Sequence, residues 1–172
     1  MNKQPLPFAR VSLLDGALSA FFKARLHGLG VIEAGQVDFF EESRVDWIKQ
    51  AIAIVGEFKV VTRFIANPYT DCICVDTLIF LQDKIPIWMM SGVGSYAEEA
   101  VPFLDQVLTH NYRLGVFSGG RGPSTFEGDD ANFIYQNTLE ERSSFASFQG
   151  KEGIMSDGGT LGYHWYMGKA LI

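Results

Sequence analysis

A chain of 172 residues, 47% of them apolar, can bury roughly 70% of its unfolded surface as one large domain or two small, intimately packed ones, so folding requires neither a metal nor a disulfide. Its 14 Lys and Arg are scattered against 20 Asp and Glu, a net charge of −6, which excludes the basic stripe that a nucleic-acid binder needs to displace counterions from phosphates. No run approaches the roughly 20 apolar residues that span a bilayer. Asp15, Lys23 and Arg25 break the one stretch that would resemble a signal peptide, so no membrane role and a cytoplasmic location are expected.

Residues 1–11 read as an irregular arm, kept extended by Pro5 and Pro7. Ser12 with Asp15 makes a capping box, followed by a helical stripe of Leu14, Ala17, Leu18, Phe21, Phe22 and Leu26 that His27-Gly28-Leu29-Gly30 ends. An acidic linker around Phe39-Phe40 (Val31–Glu42) leads to a second capping box, Ser43 with Asp46. This predicts a helix through Trp47, Ile48, Ala51, Ile52 and Val55, stopped by Gly56. Three strands are then expected, Phe58–Ile65, Cys72–Leu81 and Ile85–Ser91, joined by a turn at Asn67-Pro68 and a hairpin loop at Gln82-Asp83-Lys84. Cys72 and Cys74 point to one face of their strand about 7 Å apart, which is wrong for a disulfide. His27, His110 and His164 add no paired zinc motif, so two small buried side chains are the expected reading.

Gly92-x-Gly94 lacks the rest of a phosphate loop and reads as a strand exit. Ser95 with Glu98 is a third capping pattern, and Pro102 suits the first turn of a helix that buries Val101, Leu104, Val107 and Leu108. Strand-like runs recur at Leu114–Phe117, Asn132–Leu139, Ser144–Gln149, Gly153–Met155 and Leu161–Met167, with a hairpin turn at Asp157-Gly158. The expected fold class is α+β. An N-terminal arm and helix (1–46) precede a duplicated domain (47–172) of two helix-plus-antiparallel-sheet units, about 47–94 and 95–172, with the N-terminal helix packed on the outside.

The last third carries Arg121-Gly122-Pro123, Tyr135, Phe148-x-Gly150-x-Glu152-x-Ile154 and Tyr166-x-Gly168, preceded by Pro86-Ile87-Trp88-Met89-Met90. In these segments the chain resembles an uncharacterised domain often appended to the C-terminus of Xre-type helix-turn-helix regulators in bacteria. The resemblance covers roughly residues 47–172 and implies an α+β fold and a bacterial origin. It implies no activity, because the family has none established. The 46 residues ahead of it are too few and too acidic for a helix-turn-helix unit with a basic recognition helix.

Candidate chemistry is sparse. Arg121 sits between glycines and a proline, where its guanidinium could clamp a carboxylate or phosphate; the plainer reading bonds it to nearby carbonyls or to Glu127. Glu152, between apolar neighbours on a hairpin, has the look of a general acid or base or of a turn-stabilising carboxylate. Trp88, Tyr135, Trp165 and Tyr166 could line a ligand site or pack the core. His164 faces away from Tyr163 and Trp165, and Asp129-Asp130 and Glu140-Glu141 read as solvated turns. No nucleophile–base pair, metal set or cofactor motif is visible. The expected function is a non-catalytic binding or regulatory module that recognises a small molecule or a protein through an aromatic sheet face with Arg121, Glu152, Tyr135, Trp165, Tyr166 and Trp88. The alternative is a stand-alone acidic inhibitor or immunity-type protein that caps a basic partner, and a small enzyme using Glu152 ranks third. A homodimer is compatible with either; no cofactor and no metal are expected.

Overall fold

From Ile48 to Tyr96 the chain alternates β-branched and aromatic runs with tight turns, and each run pairs with the next. The computed structural model describes residues 10–28, 38–45 (as backbone), 47–67, 69–128 and 132–172. Helix α1 (Arg10–Gly28) precedes β1 (Asp38–Val45), β2 (Ile48–Val55), β3 (Phe58–Ala66), β4 (Cys72–Leu81) and β5 (Ile85–Tyr96). Helix α2 (Val101–Leu114) then precedes β6 (Thr125–Glu127), β7 (Ile134–Leu139), β8 (Ser147–Ser156) and β9 (Gly159–Ala170). The strands form one antiparallel sheet in the order β1-β2-β3-β4-β5-β9-β8-β7-β6. Each half is a meander, and their last strands meet in the middle, with Gly92 opposite Tyr166 and Gly94 opposite His164.

Both helices lie on one face of this sheet. Helix α1 buries Leu13, Ala17, Ala20, Phe21 and Ala24, and α2 buries Phe103, Leu104, Val107, Leu108 and Tyr112. Small residues let α1 approach closely: a Cβ at Gly16 would stand 2.8 Å from the Phe58 ring. Phe21 meets Trp88 edge-on at 5.5 Å, and Trp88 stacks on Phe145 at 4.7 Å. Full burial of a side chain such as Phe21 contributes about 1.5–3 kcal/mol. The opposite face of the sheet leaves Met89, Val93, Tyr163, Trp165 and Met167 exposed.

Several expectations are corrected. The helix over 47–55 is strand β2, paired residue by residue with β3 from Ile48–Ile65 to Val55–Phe58, and Gly56 (φ 59°) belongs to their hairpin. Ser43 lies in β1 and Asp46 falls outside the described residues, so that capping box does not form as a helix start. The expected linker gives way to β1 from Asp38 onward. Ser12 is inside α1, which covers one face of the sheet with its apolar side and leaves its other side exposed. Ser95 is the penultimate residue of β5, and α2 begins after a 3-10 turn at Ala100 with no side-chain cap. Val101 is exposed while Leu104, Val107 and Leu108 are buried as expected. Leu114–Phe117 is helix end and loop, with Gly115 (φ 65°) as the left-handed stop. Cys72 is exposed and Cys74 half-buried, both free. In the β8–β9 turn it is Gly159, at φ 118°, that takes the conformation closed to other residues. The Gln82-Asp83-Lys84 hairpin forms, with Asp83 bonded to Lys59 at 2.6 Å. Asn67 turns the chain by accepting from the Tyr69 N–H at 2.9 Å. The pair Asp129-Asp130 falls outside the described residues.

Candidate functional site

Two consecutive glycines, Gly119 and Gly120, take left-handed φ values of 68° and 70°, and so reverse the chain directly after α2. Side chains pin this loop by its carbonyls. Asn111 donates to the Arg121 carbonyl at 2.6 Å, Tyr112 to that of Gly120 at 2.9 Å, and Asn137 to those of Ser118 and Gly122 at 3.0 and 2.8 Å. Gly122 donates its N–H to the Tyr135 hydroxyl at 2.9 Å, and the Tyr135 ring leaves no room there for a Cβ. A loop held at this many points presents Arg121 inward in one orientation.

Arg121 meets Glu152, which β8 places on the helix-facing side between Asn137 of β7 and His164 of β9. Glu152 Oε1 accepts from Arg121 Nε at 3.0 Å, from Arg121 Nη2 and from the Tyr96 hydroxyl; Oε2 accepts from the Tyr135 hydroxyl at 2.5 Å. Their side chains are 7% and 0% exposed, so neither charge can be satisfied by water. Burial alone would push the Glu152 carboxyl up, but Arg121 and the hydroxyls of Tyr135 and Tyr96 more than reverse this and hold it below the usual carboxylate range. Burial also works against the Arg121 cation, and Glu152 outweighs it. The hydroxyls of Tyr96 and Tyr135 are pushed up, by burial first and the Glu152 charge second, so both stay protonated as donors. A carboxylate this fully coordinated is a poor proton acceptor.

Beside this pair lies a cavity of about 300 Å³ between the helices and strands β2 to β5. Ala51, Ala53, Val60, Val75, Leu104 and Leu108 make its walls apolar. Phe64, Ile73, Val101 and Asp105, all exposed, rim it on the solvent side, and Arg25, Tyr96, Arg121 and His164 supply polar atoms at its inner end. His164 is held at a pKa of about 4, first by burial and then by the Arg121 charge, with Glu152 opposing, so its ring is neutral at pH 7. Its ring lies over the backbone of β5: a Cβ at Gly92 would stand 2.2 Å from His164 Nε2, and one at Gly94 2.9 Å from Nδ1. Gly92-x-Gly94 is therefore the seat of an aromatic ring in mid-strand, not a strand exit.

The structure divides the sequence-derived residues into two groups. Arg121, Tyr135, Glu152 and Tyr166 converge; the Tyr166 hydroxyl donates to Asn137 Oδ1 within the same buried network. Trp88 is core, with its indole N–H on the Phe145 carbonyl at 2.7 Å. Trp165 projects from the far side of the sheet, 56% exposed, with the Lys151 ammonium 5.4 Å from its ring. The far side also carries a shallower depression of about 690 Å³ that Trp165, Met167 and Val93 line. Arg25, Tyr96 and His164 were not among the site residues expected from sequence, although His164 was correctly placed on the face opposite Tyr163 and Trp165. Arg25 continues the inward stripe of α1 one turn beyond Phe21, and a cation in that stripe is the signal that was there to be read. Among the described residues no three His, Cys, Asp or Glu side chains gather to hold a metal ion, and no helix is long and apolar enough to cross a membrane. Compared with protein-family models, with curated proteins and with solved structures, the chain finds no match in any of the three.

Proposed function

We propose that this chain is a non-catalytic binding module that holds a small, largely apolar molecule between its helices and its sheet. The observation that carries this reading is the cavity: apolar walls with a few convergent polar groups at one end are the usual composition of a small-molecule site, and about 300 Å³ is the lower end of the usual size. Arg121 contributes to the lining while Glu152 stands behind it, so the ion pair acts as a fixed polar floor. The full coordination of Glu152 weighs against general acid–base chemistry there, and the cavity weighs against an inhibitor that works through a flat acidic face.

Two finer points belong to this proposal. The helix-then-meander order of both halves, with last strands β5 and β9 adjacent, supports a duplication whose units begin at α1 and α2. Kinship with the regulator-appended bacterial domain is supported by where its motif residues fall: Arg121, Gly122, Tyr135 and Glu152 build the buried network. A titration with the neutral fluorophore N-phenyl-1-naphthylamine tests the binding reading. Blue-shifted, saturable emission is expected, and Ala51→Phe, which fills the cavity from β2, should weaken it at least about tenfold. Equal binding by this variant, or none by the parent protein, would refute it.

A further inference from the structure

The positive groups of the cavity gather at its inner end. Two guanidinium groups, Arg25 and Arg121, stand there beside the neutral His164; Glu152 pairs with Arg121, and the carboxylate of the described lining, Asp105, is exposed on the rim. Arg121 is the satisfied one. Arg25 donates through Nη2 to the Thr77 hydroxyl at 2.7 Å and lies 5.1 Å from the centre of the Phe21 ring. Its Nε is buried without a hydrogen-bond partner, and no carboxylate among the described residues pairs with it. Burial, reinforced by the Arg121 charge and opposed by Tyr112, pulls its pKa down. An arginine nevertheless keeps its proton, so this half-buried cation is met among the described residues only by the Thr77 hydroxyl and the Phe21 ring, with its Nε unsatisfied. A guanidinium offers parallel N–H donors at the spacing of carboxylate oxygens. Asp105 on the rim disfavours a second negative group near the entrance.

We infer that the ligand is a monocarboxylic acid with an apolar body, whose carboxylate pairs with Arg25 at the inner end of the cavity while its hydrocarbon part lies against Ala53, Val60 and Leu104. This rests on the reading of the cavity as a small-molecule site and adds the class of ligand. One carboxylate matches the one guanidinium of the lining that no described carboxylate pairs with, and the apolar walls suit a hydrocarbon body. Thr77, itself fully buried in mid-strand, holds the guanidinium in place for this contact.

Displacement of bound N-phenyl-1-naphthylamine separates the two claims. Octanoate and octan-1-ol, equal in chain length, are titrated against the probe-loaded protein. Octanoate should displace it at concentrations about 10- to 100-fold lower than the alcohol, the ratio expected of a charge-assisted hydrogen bond. Arg25→Met should still bind the probe and lose that preference, and Arg25→Lys should keep part of it. If the probe binds but the acid and the alcohol compete equally in the parent protein, the inference about the acid is overturned and the small-molecule site stands. If the probe does not bind at all, the site reading itself fails. The acid-versus-alcohol comparison needs no variant, so it decides the inference even if Arg25→Met does not fold.

Discussion

At the scale of single residues, Glu152 is the group on which the interior turns. It takes donors from Arg121, Tyr96 and Tyr135, and these come from three separate elements. Removal of one partner strands the other charge in a place water cannot reach, and this costs about 3–5 kcal/mol. Arg121→Ala and Glu152→Gln should each lose that much in urea unfolding. The double substitution Arg121→Met with Glu152→Met should lose less than the sum of the two single changes. A near-neutral Arg121→Ala would contradict the strut role. His164 offers a second test. Its folded value of about 4 lies below the ordinary 6.5, so between those values the unfolded chain binds the extra proton and stability falls as pH falls. Between pH 7 and pH 4.5 the loss comes to about 2 kcal/mol, and it should be missing from His164→Phe when both proteins are unfolded at those two pH values. Parallel pH curves would show that His164 takes up its proton as readily in the native state as in the unfolded chain.

At the scale of elements, the inner face of the sheet is built from rings resting on glycines. His164 over Gly92 and Gly94 joins the two halves of the sheet along the β5–β9 pairing. Gly92→Ala pushes a methyl group to within van der Waals overlap of that ring, and the overpacking should cost about 1–3 kcal/mol in thermal or urea unfolding. An unchanged midpoint would mean the ring moves freely. The same elements explain what could be read beforehand. Strands β3, β4 and β5 were legible because β-branched runs sit between clear turns. Strand β2 was not: its alanines at 51 and 53 and its isoleucines at 52 and 54 make both faces apolar, so a helical spacing could be drawn through a two-sided strand. Its Ile and Val content favours the strand, and pairing with β3 decides it. The candidate site shows a similar limit. Arg121, Tyr135 and Glu152 stood out by their local motifs, but Trp165 and Tyr166 are neighbours on one strand and must face opposite sides, so only one could belong. That Arg25 of α1 would lie near Arg121, ninety-six positions later in the chain, depends on the helix packing against the sheet, which no local pattern encodes.

At the scale of the whole molecule, two helices laid over one large antiparallel sheet bury an aromatic core at one end and leave a cavity at the other. The core side is filled by Phe21, Trp88, Phe145 and Phe148; the cavity side is lined by small residues of β2 and β3, among them Ala51, Ala53 and Val60. That difference in side-chain volume is what makes one end structural and the other receptive. The far face of the sheet, with Trp165 and Met167 exposed, is the competing location for an apolar molecule. Methyl NMR during titration with N-phenyl-1-naphthylamine distinguishes the two sites most directly. The account predicts saturable shifts of the Val60, Val75, Leu104 and Leu108 methyls, with Met89, Val93 and Met167 unmoved; shifts confined to the latter three, or none anywhere at saturating probe, would contradict it.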